Sequence, residues 1–321
     1  MKLDAGLSGL AVALDVSAVQ RHLRDAGIAV DSLEMSVVRH HVGERCTIRY
    51  AVSAGQASTV LFGKVVRVGA DRLARVTRVL ADASARDARM PAVMPVVAFV
   101  PSAGLVVTAA FEPSVAFHDV ALDAGIDEPT RARRWSTFGS AMARLHAADL
   151  PSLPLVDTSL DVETIRALLP SRASEHSNVA STALDLLDSI EPTVVGPHRR
   201  VTAAHGALRT DQVLLGPDRF ALVDLDSAGL SPPARDLGNL LAYLAWKQLR
   251  RSTEPALVDR AVAAFHAGYA DVAELPVASE LSVWQALSMV KIAARRLHAG
   301  PTDEIVLVPA LLAAAATLLG R

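Results

Sequence analysis

The 321-residue sequence predicts an α+β fold, with a sheet-rich first third and a helical remainder. Apolar runs of strand length, separated by turn residues, occupy residues 35–111. From residue 131 onward apolar positions recur mostly at helical spacing. Inside the helical part, residues 203–241 read AAHGALRTDQVLLGPDRFALVDLDSAGLSPPARDLGNLL and set two polar clusters among apolar residues.

Composition bounds the partners. The hydrophobic fraction is 51% and the formal net charge is −2, which leaves no global basic field for nucleic acid. The single cysteine, Cys46, excludes an intrachain disulfide and fits a reducing cytoplasm. Cys46 lies in a strand-like run and reads as core. The apolar stretch at residues 9–14 is short and flanked by Asp4 and Asp15, which argues against a targeting segment. The apolar tail at 305–319 is shorter than a bilayer span and contains Pro309, so it reads as a packed helix and no membrane partner is expected.

In order along the chain, residues 15–26 predict a short helix through Val16, Val19 and Leu23. Residues 35–39 and 46–52 predict two strands joined by a turn at 40–45, in which His40 and His41 read as solvated rather than metal-binding. Residues 58–68 predict a third strand carrying Lys64, one of only four lysines with Lys2, Lys247 and Lys291. An ammonium among Phe62, Val65 and Val66 either needs a counter-charge, because leaving it buried and unpaired costs several kcal/mol, or snorkels to water from an edge strand; the counter-charge is the favoured reading. Residues 71–88 predict a helix with no Glu, so Asp71, Asp82 and Asp87 are the acids it offers to Lys64, and Asp82 is the chosen partner. Residues 105–111 predict a strand leading to Glu112-Pro113.

Residues 131–148 predict a long helix ending in His146, read as a histidine favoured by the helix dipole. Helices are expected near 162–169 and 180–189, in a stretch whose acids (Asp157, Asp161, Glu163, Glu175, Asp185, Asp188) either attract a cationic acceptor or form solvated helix faces. Helices at 234–247, 258–271 and 281–298 follow, with Trp284, Met289 and Ile292 as core; Arg295 and Arg296 are open between carboxylate partners and an acceptor.

The segment 203–241 carries the chemistry. Val213-Leu214-Leu215, the turn Gly216-Pro217-Asp218 and Phe220-Ala221-Leu222-Val223 predict a β-hairpin. A hairpin brings its outer ends together, which would set Gln212 beside Asp224. An amide oxygen and a carboxylate suit a hard divalent cation such as Mg²⁺, which takes few protein ligands and completes its octahedron with phosphate and water. A polar hairpin mouth bonded to loop backbone fits the spacing as well.

The order His205-Gly206-x-x-x-x-x-Gln212, then Val223-Asp224-Leu225-Asp226, then Asp236-Leu237-Gly238-Asn239, resembles the aminoglycoside phosphotransferase and choline kinase family, the small-molecule branch of the protein-kinase-like fold. Arg39-His40-His41-Val42-Gly43-Glu44-Arg45 with Arg49-Tyr50 is also similar to a branch of actinobacterial phosphotransferases. The resemblance implies a bilobal protein-kinase-like fold, with a small β-rich N-lobe at 1–110 and a larger helical C-lobe at 111–321. It implies Gln212 and Asp224 as Mg²⁺ ligands, His205 as a loop organiser, Asp226 as a supporting acid or second-metal ligand, and Asp236 as an anchor at a helix start. Lys64 would hold the α/β-phosphates of ATP or GTP, with Gly43 and Arg45 in the covering hairpin. The backbone at Ala109 and Phe111 would read the adenine edge.

The family's catalytic Asp falls at position 207, which is Ala207 here. In kinase-type transfer that Asp takes the proton of the attacking hydroxyl. Three readings are open: a degenerate kinase, a displaced base, or a designed Asp→Ala change; retention of the other matched positions favours the first and third. The implied activity is phosphoryl transfer to a hydroxyl of an aminoglycoside-like or other natural product, or of a Ser/Thr in a biosynthetic precursor peptide. The alternative is a pseudokinase that binds nucleotide or peptide and supports a partner enzyme in a biosynthetic pathway.

Overall fold

The computed structural model describes residues 4–169, 177–198, 200–251 and 253–321. The acidic candidate Glu175 lies outside the described residues. In chain order the first elements are α1 (Leu10–Ala13), α2 (Val16–Asp25), β1 (Ser32–His41), β2 (Arg45–Ala54), β3 (Ala57–Val66), α3 (Ala70–Arg86), β4 (Val96–Val100) and β5 (Leu105–Ala109). Then come β6 (Val115–Ala116), α4 (Phe117–Val120), α5 (Glu128–Ala147), α6 (Ser159–Leu168), α7 (Ser177–Val195), β7 (Thr202–Ala204), β8 (Val213–Leu215), β9 (Phe220–Leu222) and β10 (Gly229–Ser231). The chain closes with α8 (Pro233–Arg251), α9 (Pro255–Ala270), α10 (Ala278–Ala299), α11 (Thr302–Ile305) and α12 (Val308–Leu318). The chain forms two compact units.

The first unit comprises residues 1–88, 92–114 and 216–226. Its centre is a five-stranded antiparallel sheet in the order β1-β2-β3-β5-β4. β2 alternates strictly, burying Cys46, Ile48, Tyr50 and Val52 against Leu10, Val19 and Leu23 of the two N-terminal helices. The apolar stretch at 9–14 is therefore core, organised as α1. Tyr50 donates its hydroxyl to the Ala13 carbonyl at 2.7 Å, and burial pushes its phenol above the usual range. Gly63, across the β2–β3 pairing, leaves room for that ring: a Cβ there would lie 2.4 Å from Tyr50 Cε2. β3 buries Leu61, Gly63 and Val65 on this face, so Lys64 points to the other one.

The return segment 216–226 reads back onto this unit. Gly216 N–H donates to the Arg219 carbonyl at 3.0 Å, closing the Gly-Pro-Asp turn expected there. Ala92 bridges Ala221, donating to Phe220 O at 2.7 Å and accepting from Leu222 N–H at 2.9 Å.

The second unit comprises residues 89–91, 115–215 and 227–321. β7 and β10 pair antiparallel, as do β6 and β8. A core of Trp246, Trp284, Met289, Ile292 and Leu311 joins α8, α10 and α12, so the apolar residues of the 281–298 stretch are core as the periodicity predicts. A second cluster of rings, Phe117, Trp135, Phe138 and Phe265, stacks at centroid separations of 5.0 to 6.3 Å. The tail expected as a packed helix at 305–319 is α12, which buries Val308, Leu311, Leu312 and Ala315 and carries Pro309 in its first turn; the short α11 precedes it and ends at Ile305. No helix among the described residues is long and apolar enough to cross a membrane.

His40 departs from its sequence reading. It lies within β1, not in a solvated turn, and its Nε2 is 2.8 Å from Asp4 Oδ2. Unfolding stability in urea is expected to fall by about 1 kcal/mol in Tyr50→Phe, the net value of one hydrogen bond. Gly63→Ala is expected to lose more, because its methyl has no space beside Tyr50.

Candidate active site

In the first unit the structure gathers an acid–base cluster around Lys64. Its ammonium lies 2.5 Å from Asp224 Oδ1 and 2.7 Å from both oxygens of Asp226. The Lys64 side chain is 16% exposed and the two carboxylates about one third, so the group is screened on the strand side and open on the other. The counter-charge that an ammonium in an apolar strand requires is thus supplied by the return segment.

Asp82, the expected partner, is exposed on α3 and has no part in the cluster. The α3 residue that reaches it is Arg72, whose Nη1 donates to the Asp226 carbonyl at 2.8 Å. Sequence reasoning missed Arg72 because it searched this helix for an acid. The available signal was the reverse: a helix without Glu but with an arginine in its first turn. Arg45, at the start of β2, brings Nη1 to 3.8 Å from Asp226 Oδ2. Three cations therefore face two carboxylates, an excess that suits a polyanion.

Asp224 has φ 64°, the one left-handed non-glycine residue described. A backbone held there marks a position whose side chain is aimed by its surroundings. The neighbouring hairpin turn holds Gly43, whose N–H donates to Asp4 Oδ2 at 2.7 Å. At the strand leading to residue 111, Ala109 N–H is committed to the Pro95 carbonyl at 3.1 Å, so that amide has no proton to offer an adenine edge. Phe111 accepts from Ser114 Oγ at 2.6 Å through its carbonyl, and its ring packs against Gly216.

A divalent cation fits the donor set of Asp224 and Asp226, two carboxylates presented side by side. Among the described residues no cluster of three or more His, Cys, Asp or Glu exists, so such an ion would draw its other ligands from phosphate and water, as Mg²⁺ does. The Lys64 ammonium contacts both carboxylates, so it and the cation compete for the same oxygens.

The second unit holds the loop at 205–209. Asp236, in the first turn of α8, is fully buried. Its Oδ2 accepts from His205 N–H and its Oδ1 from Gly206 N–H, both at 2.7 Å. His146 Nε2 lies 3.2 Å from Oδ2, and His146 Nδ1 lies 2.9 Å from the Tyr269 hydroxyl. His146 lies in the last turn of α5, as its helix-terminal reading expects, and is also an interior link to α8 and α9. Burial alone would raise the Asp236 carboxyl; the His146 contact and the amides of the loop outweigh it and hold it below the usual range.

Gly206 has φ +80°, and a Cβ there would lie 2.1 Å from the Ser227 carbonyl and 2.8 Å from Arg235 Nη1. Only glycine fits, for steric as well as torsional reasons. Ala207 follows, half-buried, with no carboxylate of its own. Asn239, one turn along α8 from Asp236, donates Nδ2 to the Leu208 carbonyl at 2.9 Å. His205 is buried, and Gln212 is buried in the single turn Thr210–Gln212.

Removing the Asp236 carboxylate strands two amides and a histidine in the interior, so Asp236→Ala is expected to cost about 3–5 kcal/mol. Because the folded carboxyl is held low, its contribution is complete above the unfolded value near pH ~4 and is lost as pH falls through the folded value. Denaturant unfolding between pH 7 and pH 2 is expected to show an acid slope that flattens in Asp236→Asn.

The model of the phosphotransferase enzyme family matches residues 47–275, more than two thirds of the chain. No curated protein matches it in sequence. Among solved structures, an amicoumacin kinase in complex with AMP-PNP, Ca²⁺ and Ami superposes with a TM-score of 0.65 at 13% identity, covering 93% of both chains. A Plasmodium vivax ethanolamine kinase gives 0.61 at 12% identity, over 93% of this chain and 86% of its own. A thermostable aspartate-to-alanine mutant of aminoglycoside phosphotransferase APH(4)-Ia, in ternary complex with ADP and hygromycin B, gives 0.60 at 16% identity, over 92% and 96%. The chain has the fold of these kinases, and it belongs to the phosphotransferase enzyme family.

Proposed function

We propose that the chain binds Mg²⁺–ATP (or GTP) and has the framework for phosphoryl transfer to a hydroxyl, with transfer strongly impaired in this sequence because residue 207 is alanine. The observation that carries this is the Lys64–Asp224–Asp226 cluster with Arg45 and Arg72 around it. It combines a phosphate-seeking excess of cations with a pair of carboxylates aimed for a metal. The solved neighbours described with AMP-PNP or with ADP support a nucleotide at this fold.

Each group has a role set by its chemistry. When nucleotide binds, Lys64 turns from the carboxylates to the α/β-phosphates, and Arg45 adds a second cation from the covering hairpin. Arg72 holds Asp226 by its carbonyl, so that the carboxylate keeps its place when Lys64 leaves. Asp224 would hold Mg²⁺, with Asp226 beside it. The bound ion neutralises phosphate charge and aligns the transferring group. His205 and Asp236 shape the loop that presents residue 207.

At position 207 a carboxylate would take the proton of the attacking hydroxyl. Ala207 cannot, and general-base removal costs on the order of 10²–10⁴ in rate. That value, with the rest of the cluster in place, also supports a pseudokinase role, in which nucleotide binding is kept for support of a partner enzyme. An aspartate-to-alanine mutant among the neighbours is described holding both ADP and hygromycin B, which supports intact ligand binding without one carboxylate.

Phosphate release from ATP, with and without a pool of hydroxyl acceptors, separates the two. Ala207→Asp is expected to raise turnover on the order of 10²–10⁴-fold; an unchanged rate with nucleotide still bound means a binding module. Lys64→Met is expected to weaken nucleotide binding at least tenfold, since a charge-assisted contact to phosphate contributes about 1.5–3 kcal/mol. An unaltered affinity contradicts the phosphate role of Lys64.

A further inference from the structure

The loop at 205–209 rests on one face of α8. Arg235, Asn239 and Tyr243 are spaced by four residues and so line a single stripe. Arg235 lies under Gly206, Asn239 holds the Leu208 carbonyl, and the Arg209 guanidinium stacks 4.7 Å from the Tyr243 ring centroid. Lys291 and Arg295, also four apart, do the same from α10. Lys291 reaches Asp161 Oδ1 at 2.6 Å, and Arg295 Nη1 donates to the Tyr243 hydroxyl at 3.3 Å.

This face is short of negative charge. Asp161 is shared: Arg235 Nε and Nη2 contact its Oδ2 at 3.0 and 2.8 Å while Lys291 holds the other oxygen. Burial would raise the Asp161 carboxyl, but the two cations outweigh it and keep it ionised. Arg235 is 7% exposed, and its Nη1 is buried beside Gly206 with no hydrogen-bond partner among the described residues. At the other end two guanidiniums converge on one phenol, and Asp211 lies 3.1 Å from Arg209 Nε. Burial raises the Tyr243 phenol, and Arg209 and Arg295 together more than reverse that.

Two of the acids that could draw a polycation are engaged elsewhere. Asp157 holds Ser159 at the start of α6, and Asp188 with Glu191 pairs with Arg166. Arg296, unlike Arg295, is committed to Glu304. Four cations (Arg209, Arg235, Lys291 and Arg295) against the two carboxylates they contact (Asp161 and Asp211), with Arg235 beside Gly206, repel an aminoglycoside and attract an acid.

We infer that Arg209, Tyr243 and Arg295, backed by the Arg235–Asp161–Lys291 triad, form an acceptor subsite for an anionic group, a carboxylate or phosphate, so that the hydroxyl acceptor is itself an acid. This rests on the phosphotransferase reading. A guanidinium fork matches such a group in two-point fashion, and its separation from the Lys64 cluster along the sequence gives it an independent genetic handle.

The test uses inorganic phosphate as probe, titrated calorimetrically into the full chain, into Lys64→Met and into Arg295→Gln and Arg295→Glu. Arg295 is exposed, so its variants are expected to fold, which thermal unfolding checks. Saturable binding should persist in Lys64→Met, weaken about tenfold in Arg295→Gln and further in Arg295→Glu. Binding that vanishes with Lys64→Met and ignores Arg295 places the anion at the nucleotide residues and overturns the inference while leaving the phosphotransferase reading standing. Saturable kanamycin binding by the unaltered chain that is unchanged in Arg295→Glu also overturns it. Arg295-dependent phosphate binding in a chain that fails to bind Mg²⁺–ATP keeps the anion subsite and removes the kinase reading instead.

Discussion

An ammonium in the middle of an apolar strand is the constraint around which the first unit is arranged. Lys64 has no acid on its own strand to meet it, and α3 brings an arginine rather than a carboxylate. The chain answers by returning residues 216–226 to a unit it left at Ser114. That return carries Asp224 and Asp226 to the ammonium, with Asp224 held in a left-handed backbone conformation to do so. The structural solution to a buried charge uses the same atoms that the proposed metal and phosphate site would use. On the proposed function, ligand binding would be an exchange of partners, with the lysine turned to phosphate and the carboxylates to metal.

The second unit depends on a different buried charge. Asp236 takes the backbone of His205 and Gly206, so the loop is held by main-chain hydrogen bonds that do not depend on the identity of residue 207. This explains how an alanine can sit at that position with the loop intact. His146 and Tyr269 extend the same network into α5 and α9. The loop is therefore built into the helical core, and a change at residue 207 need not loosen it.

Much of this was legible in the sequence, for identifiable reasons. Strict alternation in β2 and helical spacing in α8 and α10 follow from burial on one face, which leaves a period in the sequence. The order of the His-Gly, Val-Asp-Leu-Asp and Asp-Leu-Gly-Asn motifs carried the family. What escaped depends on contacts between distant segments. The partner of Lys64 lies 160 residues away and could not be read from its neighbours, so the search settled on the nearby but exposed Asp82. His146 looked like a helix-terminal residue because only its position in α5 is local; its burial comes from α8 and α9. The cationic face was invisible for the same reason: Arg209, Arg235 and Arg295 are far apart in sequence and meet only through α8. The start of the C-terminal helix, by contrast, was available from Pro309, which favours a first helical turn over an interior one.

The account stands or falls on whether the carboxylate pair serves a metal-bound nucleotide. Calorimetric titration of ATP, with Mg²⁺ and with the metal chelated, on this chain and on Asp224→Ala measures that without knowledge of the acceptor. The account predicts binding that requires Mg²⁺ and disappears with Asp224. Absence of binding at millimolar nucleotide in the folded protein, or binding indifferent to both metal and Asp224, would contradict it.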